Sequence, residues 1–219
     1  MLDKNIFLFL KELRNNNNKE WFDKNRKRYQ DLRLNFIDFV SLMIFELSKI
    51  DPSVKNIEAK ASIFRINRDI RFSADKSPYK INMGAFITPG GKKSGLPGYY
   101  LHLEPGSTFA AGGIHMPMPP ELKAVRHSII ENPEEYRKII EAPNFKELFD
   151  EVNGEKLKTS PKGFPKEDPN IDLIKLKSYT VGHKLDEKML SSEYAFKELM
   201  KVFSGMKEFN LFLKNAIKE

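Results

Sequence analysis

Apolar residues recur at three- and four-residue steps through the first fifty positions. Ile6, Leu10 and Leu13 share one face, and Phe22, Tyr29, Leu32, Phe36, Val40, Met43 and Leu47 continue the pattern further on. That period predicts a short amphipathic helix capped by Asp3, an interruption at the asparagine run 15–18, and then a long helix. Asn17 followed by Glu20 resembles a capping box, and the residue before Pro52 closes the long helix. From 58 to 116 the period shortens. The stretches EAKASIFRIN, YKINMGAFITP, GYYLHLEP and STFAAGGIHM alternate or carry strand formers, with Ser-Pro and Pro-Gly turn signals between them. Four antiparallel strands in a meander are expected. Helical spacing returns after 116. Pro119 and Pro120 open a helix on Leu122, Val125 and Ile129, and Asn132-Pro133-Glu134-Glu135 caps another. Phe145, Leu148, Phe149 and Val152 suggest a third. Residues 158–170, rich in proline, are expected as a structured loop. A short helix near 170–176, an edge strand near SYTVG and a last long helix capped by Ser191 or Ser192 complete the chain.

Helices, then strands, then helices predict an α+β fold: an antiparallel sheet of about four strands over 58–116, packed on one face by N- and C-terminal helices. No flexible linker divides the 219 residues, so 1–219 reads as a single domain large enough for a real core. The chain has no cysteine, which excludes disulfides, thiolate catalysis and sulfur-ligated metals. Its four histidines lack the spacing of a helical metal motif. No apolar run approaches the ~20 residues that span a bilayer, and the N-terminus does not read as a signal peptide. A cytoplasmic location with no membrane partner is expected.

The formal charge of +7 favours phosphates or polyanions as partners, and its distribution says more than its total. Residues 60–80 hold six Lys or Arg and two Asp, a balance of +4. Most of these lie in RINRDIRFSADKSPYK (65–80). Arginine forks match phosphate or carboxylate oxygens, Phe72 and Tyr79 offer stacking surfaces, and the ordered turn can aim backbone amides at an anion. The candidate ligand-binding residues are Arg26, Arg65, Arg68, Asp69, Arg71, Lys76, Tyr79, Lys80 and His115. Two other readings stand beside this one. The charges can form an internal salt-bridge network, joined by Glu20 and Asp23. Alternatively, the chain is an enzyme acting on a phosphoester, with Asp69 as orienter and His115, or else His102, as base. No Ser–His–Asp arrangement, Walker loop, GxGxxG or HExxH occurs, and the sequence names no cofactor. The tip Gly90-Gly91-Lys92-Lys93 is expected to be a solvated turn.

Alternation adds a surface to the motif. Arg65 and Asn67 share one face of an expected strand, Phe64 and Ile66 the other. Tyr100, His102 and Glu104 share a polar face opposite Leu101 and Leu103. Pairing through Pro105-Gly106 sets Ala111 and Gly113 on the same face as Tyr100 and His102, leaving a groove with polar walls. The glycines there mark a close ligand, a packed helix or a bulge, with helix packing or a bulge slightly favoured.

Four phrases together, NNNNKEWFDKNRKRY (15–29), RINRDIRFSADKSPYK (65–80), GYYLHLEPGSTFAAGGIHMP (98–117) and SPKGFPKEDP (160–169), resemble an uncharacterised family, domain of unknown function family 2461. The resemblance covers nearly the whole chain. It implies the fold boundary and the place of the site, and brings no activity. Its motif positions fall on Trp21, Asn25, Arg26 and Tyr29, on the charged and aromatic residues of 65–80, and on Gly112, Gly113 and Pro117. His115 stands where members of that family often carry an aromatic residue. The resulting expectation is a domain that binds a phosphate-containing small molecule or nucleic acid, its oligomeric state left open. The deciding question is whether Arg65 and Arg68 face a pocket or face carboxylates.

Overall fold

A computed structural model describes residues 1–218. Helices α1 (Asn5–Asn15), α2 (Lys19–Lys24) and α3 (Arg26–Ser48) form the N-terminal arm. The expected single long helix is broken at Asn25, whose side-chain amide donates to the Trp21 carbonyl at 2.9 Å. Such local bonds compete with a continuous helical ladder. Asn18, rather than Asn17, caps α2 by accepting from the Trp21 N–H at 2.9 Å. Asn17 instead reaches across the fold. Its amide donates to the Tyr79 carbonyl at 2.9 Å and accepts from the Tyr79 N–H at 3.1 Å, which ties segment 65–80 to this arm.

Four strands, β1 (Met83–Ile87), β2 (Gly98–Leu103), β3 (Phe109–Ile114) and β4 (Tyr179–Lys184), make one antiparallel sheet in the order β1-β2-β3-β4. Three of the four strands expected over 58–116 are present. The first is not. Ala59–Ser62 is a helical turn, α4, and beyond it only isolated bridges join Ile63 to Ala85 and Asn67 to Tyr79. Pro78 explains the interruption. It accepts from the Arg68 N–H at 2.9 Å but has no N–H to return. The fourth strand is the edge segment expected near SYTVG.

One face of the sheet carries Ala85, Ile87, Tyr99, Leu101, Leu103, Ala110 and Val181, all buried. Helix α9 (Ala195–Lys218) lies on β3 and presses Val202, Phe203, Met206 and Phe209 into this face. Helices α5 (Pro119–Glu131), α6 (Pro133–Ile140) and α7 (Pro143–Phe149) pack around α9, with the rings of Tyr136 and Phe145 against Phe209. The last short helix before it, α8, is Glu187–Leu190.

The Gly112-Gly113 pair is explained on this packed face. A Cβ on Gly112 would lie 2.7 Å from the Met206 sulfur, and one on Gly113 would run into the Tyr179 carbonyl oxygen. Gly113 also has a φ of 100°, in the region glycine alone enters freely. Its N–H donates to Asn210 Oδ1 at 2.7 Å, while Asn210 Nδ2 donates to the Gly98 carbonyl at 3.1 Å. A buried asparagine on α9 thus satisfies the backbone of β2 and β3. Close packing of α9 accounts for Gly112, and the approach of β4 at a positive φ for Gly113. Among the described residues no helix is long and apolar enough to cross a membrane.

Candidate functional site

The opposite face of the sheet is open, and its register follows the alternation read from the sequence. Tyr100 sits across from Phe86 and Ala111, and His102 across from Gly84 and Phe109. Over them lies a groove of about 1020 Å³. Its floor holds Phe86, Tyr100, His102, Phe109 and Ala111, and its rim includes Phe64, Arg68, Asp69, Lys80, Lys92, Lys93, His115, Met116 and Met118.

A chain of hydrogen bonds runs along the floor. His102 Nε2 stands 3.0 Å from Glu104 Oε2, and His102 Nδ1 is 2.8 Å from the Tyr100 hydroxyl. An ionised carboxylate only accepts, so Nε2 donates to Glu104, and in the neutral ring Nδ1 is then the acceptor for the Tyr100 hydroxyl. Arg14 Nη2 holds the other carboxylate oxygen at 2.9 Å. Phe109 stacks on the imidazole at 4.6 Å and 20°. Burial, reinforced by the Glu104 charge, pushes the Tyr100 phenol up to about 12. Tyr100 is therefore a neutral hydroxyl at ordinary pH, oriented by a histidine that is itself oriented by a carboxylate. Gly84 makes room for it, since a Cβ there would lie 2.6 Å from the Tyr100 oxygen.

Two lysines stand at the groove wall. Lys80 Nζ is 5.4 Å and Lys92 Nζ 4.9 Å from the centroid of the Phe64 ring, which meets Tyr100 edge-on at 6.1 Å. Lys92 is no solvated tip: it folds back to donate to the Ile63 carbonyl at 2.5 Å. Neither lysine forms an ion pair among the described residues. Burial lowers the pKa of both, with the Arg65 charge adding to the effect on Lys80 and the Lys80 charge adding to that on Lys92. Both cations thus lie against one ring, partly desolvated, without a carboxylate partner among the described residues.

Segments 65–68 and 78–80 form a thin wall, joined by the Asn67–Tyr79 bridge. Side chains leave it on both sides. Arg68, Asp69 and Lys80 line the groove, whereas Arg65, Asn67 and Tyr79 line a separate cleft of about 260 Å³ with Arg26, Phe22, Tyr29 and Arg33. The nine residues expected to share one site are thus divided. His115 lies exposed at the groove rim. Tyr79 is buried and stacked on Phe22 at 3.9 Å, so its ring is part of the packing, while Phe72 is 97% exposed. Arg71 and Lys76 line neither cavity. Arg71 grips Asp69 with two bonds of 2.9 and 2.7 Å, and Lys76 donates to the Ile70 carbonyl at 3.0 Å.

The two arginines posed as decisive give different answers. Arg68 faces both ways. It lines the groove, yet it is paired with Asp75 and donates to the Ser77 carbonyl at 3.1 Å and to Ser73 Oγ at 3.2 Å. Arg65 forms no ion pair among the described residues and faces the cleft. The turn 68–77 is accordingly the internal network, and the cations on either side of the wall are the ones left open.

Asp75 gives that network a pH signature. The Ser77 hydroxyl at 2.6 Å and the Ser77 N–H at 2.9 Å, followed by Arg68, bring its carboxyl down from 3.8 to about 2. A depressed folded-state pKa contributes stability that is complete above the unfolded value and is lost as pH falls through the folded one. The Ser77 amide resonance should therefore stay unchanged down to pH ~4 and titrate with a midpoint near 2, and the step should vanish in Asp75→Asn. A midpoint near 3.8 would mean the turn is open in solution.

Several residues of the groove escaped the sequence reading of the site. Tyr100, His102 and Glu104 were visible as a polar strand face, without a sign that they bond to one another. Phe64, Lys92, Arg14 and Arg33 gave no signal, because folding alone brings them to these cavities. Among the described residues, no three His, Asp or Glu side chains converge as a metal site. No curated protein and no solved structure matches the chain. A family model described as a conserved hypothetical protein (DUF2461) matches residues 5–212. With nearly the full length covered, including the helix arm, the wall and the groove strands, the chain belongs to that family.

Proposed function

We propose that the protein binds an anionic small molecule with a planar or apolar body, of the nucleotide type, across the open face of the sheet. The observation that carries this reading is the Lys80–Lys92 pair. Holding two partly desolvated ammonium groups against one aromatic ring costs stability in the empty protein, and a ligand phosphate that reaches both would offset that cost. Beside them, Phe64, Phe86, Tyr100 and Phe109 supply aromatic surface for a ring. The Tyr100 hydroxyl, donating to His102, is left with lone pairs that can accept from the ligand. The groove volume also suits a whole ligand, since such pockets span ~300–1,000 Å³.

A thermal-shift series with nucleoside mono-, di- and triphosphates at fixed ionic strength tests this. Stabilisation is expected for at least one of them, and none should occur with the parent nucleosides. Salt separates a small ligand from nucleic acid. Affinity for an oligonucleotide would fall steeply with salt, whereas affinity for a mononucleotide would change little. Absence of any shift across the series, with no oligonucleotide bound, would sink the proposal.

The Tyr100–His102–Glu104–Arg14 chain favours a second reading, an enzyme acting on a phosphoester. In it water attacks phosphorus as the ester P–O bond breaks, Tyr100 passes its proton to the leaving oxygen, and His102 Nδ1, freed of the Tyr100 bond, rather than His115, takes the water's proton and returns it to Tyr100. His102→Asn separates the two readings. A binding protein should keep its thermal shift in that variant, whereas turnover of a chromogenic phosphoester, if wild type shows it, should fall about 100-fold or more.

A further inference from the structure

We infer that the smaller cleft on the far side of the wall is a second, independent anion site, which takes the phosphate group of a phosphomonoester or free phosphate. Three guanidinium groups, Arg26, Arg33 and Arg65, line it together with Tyr29. Only Arg26 has a carboxylate partner, Asp23, and it shares that partner with Lys19. Arg33 is half-buried, and neither it nor Arg65 forms an ion pair among the described residues. Each guanidinium carries five N–H donors in a planar fork suited to a tetrahedral oxyanion.

The rest of the cleft is built to stay fixed. Tyr79 is held through its backbone by Asn17 and through its ring by Phe22, while Arg26 lies 5.6 Å from the Phe22 centroid. Burial pushes the Tyr29 phenol up and the adjacent Arg33 charge partly opposes it, so Tyr29 presents an intact O–H. Charge and shape then name the ligand. Two guanidinium groups without carboxylates match a dianion. A volume of about 260 Å³ is below the usual range for whole small-molecule ligands and suits a phosphate group. The arginine forks here contrast with the lysine point charges across the wall, so the two cavities differ in what they recognise.

Isothermal titration at constant ionic strength, with inorganic phosphate and with O-phosphoserine as the two probes, tests the site. Wild type should bind at least one of them. Arg65→Ala and Arg33→Ala should each weaken binding about tenfold or more, and Arg65→Lys, which keeps the charge and loses the fork, should fall between. The variant Lys80→Met/Lys92→Met should lose only whatever phosphate binds in the groove and should keep the Arg33- and Arg65-dependent binding at wild-type affinity, which keeps failure here distinct from failure at the groove. Tighter binding of O-phosphoserine would identify a phosphate carried on a larger molecule, and tighter binding of inorganic phosphate a free ion. The inference is overturned if neither probe binds, if both arginine-to-alanine variants, checked for wild-type melting behaviour, bind normally, or if the lysine variant abolishes binding.

Discussion

Replacing Gly113 with alanine is expected to destabilise the protein by about 2–6 kcal/mol. Two costs add. Alanine at a φ of 100° is strained, at ~1–3 kcal/mol. The new Cβ would also strike the Tyr179 carbonyl oxygen, so β4 must shift against β3, an overpacking cost of ~1–3 kcal/mol. Gly106→Ala is the control. Its φ of 83° is strained as well, but nothing lies near the added Cβ, so about 1 kcal/mol is expected. Chemical denaturation of the two variants checks the difference. Equal losses would mean that β3 and β4 are not clamped at this point.

Asn210→Leu should weaken the same junction from the helix side. It would leave the Gly113 N–H and the Gly98 carbonyl buried without partners, at ~1–3 kcal/mol for each group. Because both substitutions loosen one contact, the double variant should lose less than the sum of the two. Domains of this kind keep only ~5–15 kcal/mol in reserve, so either change should reduce soluble yield.

The same residues show how much of the fold was legible. Period-2 alternation pointed to β1, β2 and β3 and put Ala111 on the same face as Tyr100, as in the sheet, because the strand period depends on backbone geometry alone. It failed at 58–67. Those residues have strand composition, but their partner segment holds Pro78, and the missing N–H acts from eleven or more residues away. Helix spacing located α3 but missed the break at Asn25, where a single side-chain amide competes with the ladder. The site was half legible. Charge density singled out the segment 65–80, but density has no direction. Arg65 and Asn67 turn to the cleft and Arg68 to the groove, so Arg65 and Arg68 parted company. Which charges were spent on one another, as in Arg71 with Asp69, depended on turn geometry the sequence does not carry. Lys92 was unreadable for another reason: a glycine-rich tip folds back only because Ile63 and Phe64 happen to lie beneath it.

Neutralising the lysine pair should separate stability from function, with opposite signs. In the folded protein the pKa of Lys80 and of Lys92 is lowered, so the charged forms are disfavoured relative to the unfolded chain. The unfolded state then binds more protons near the lysine range, and stability should rise as pH climbs toward 10.5, the ordinary lysine value. Lys80→Met removes that burden without sacrificing a side-chain hydrogen bond, so the empty variant should melt at or above the wild-type temperature and lose part of this pH dependence. Lys92→Met gives up its bond to the Ile63 carbonyl and should gain less. Binding should move the other way. A charged hydrogen bond to phosphate is worth ~1.5–3 kcal/mol, so the double variant should lose roughly 3–6 kcal/mol, a factor of about 10²–10⁴ in affinity for any ligand phosphate seated there. Such an exchange of stability for charge is the mark of a group kept for binding. Calorimetry and nucleotide titration of the double variant supply both readings. A variant that is less stable than wild type and still binds would show that the lysines serve the fold and do not hold the ligand's phosphate.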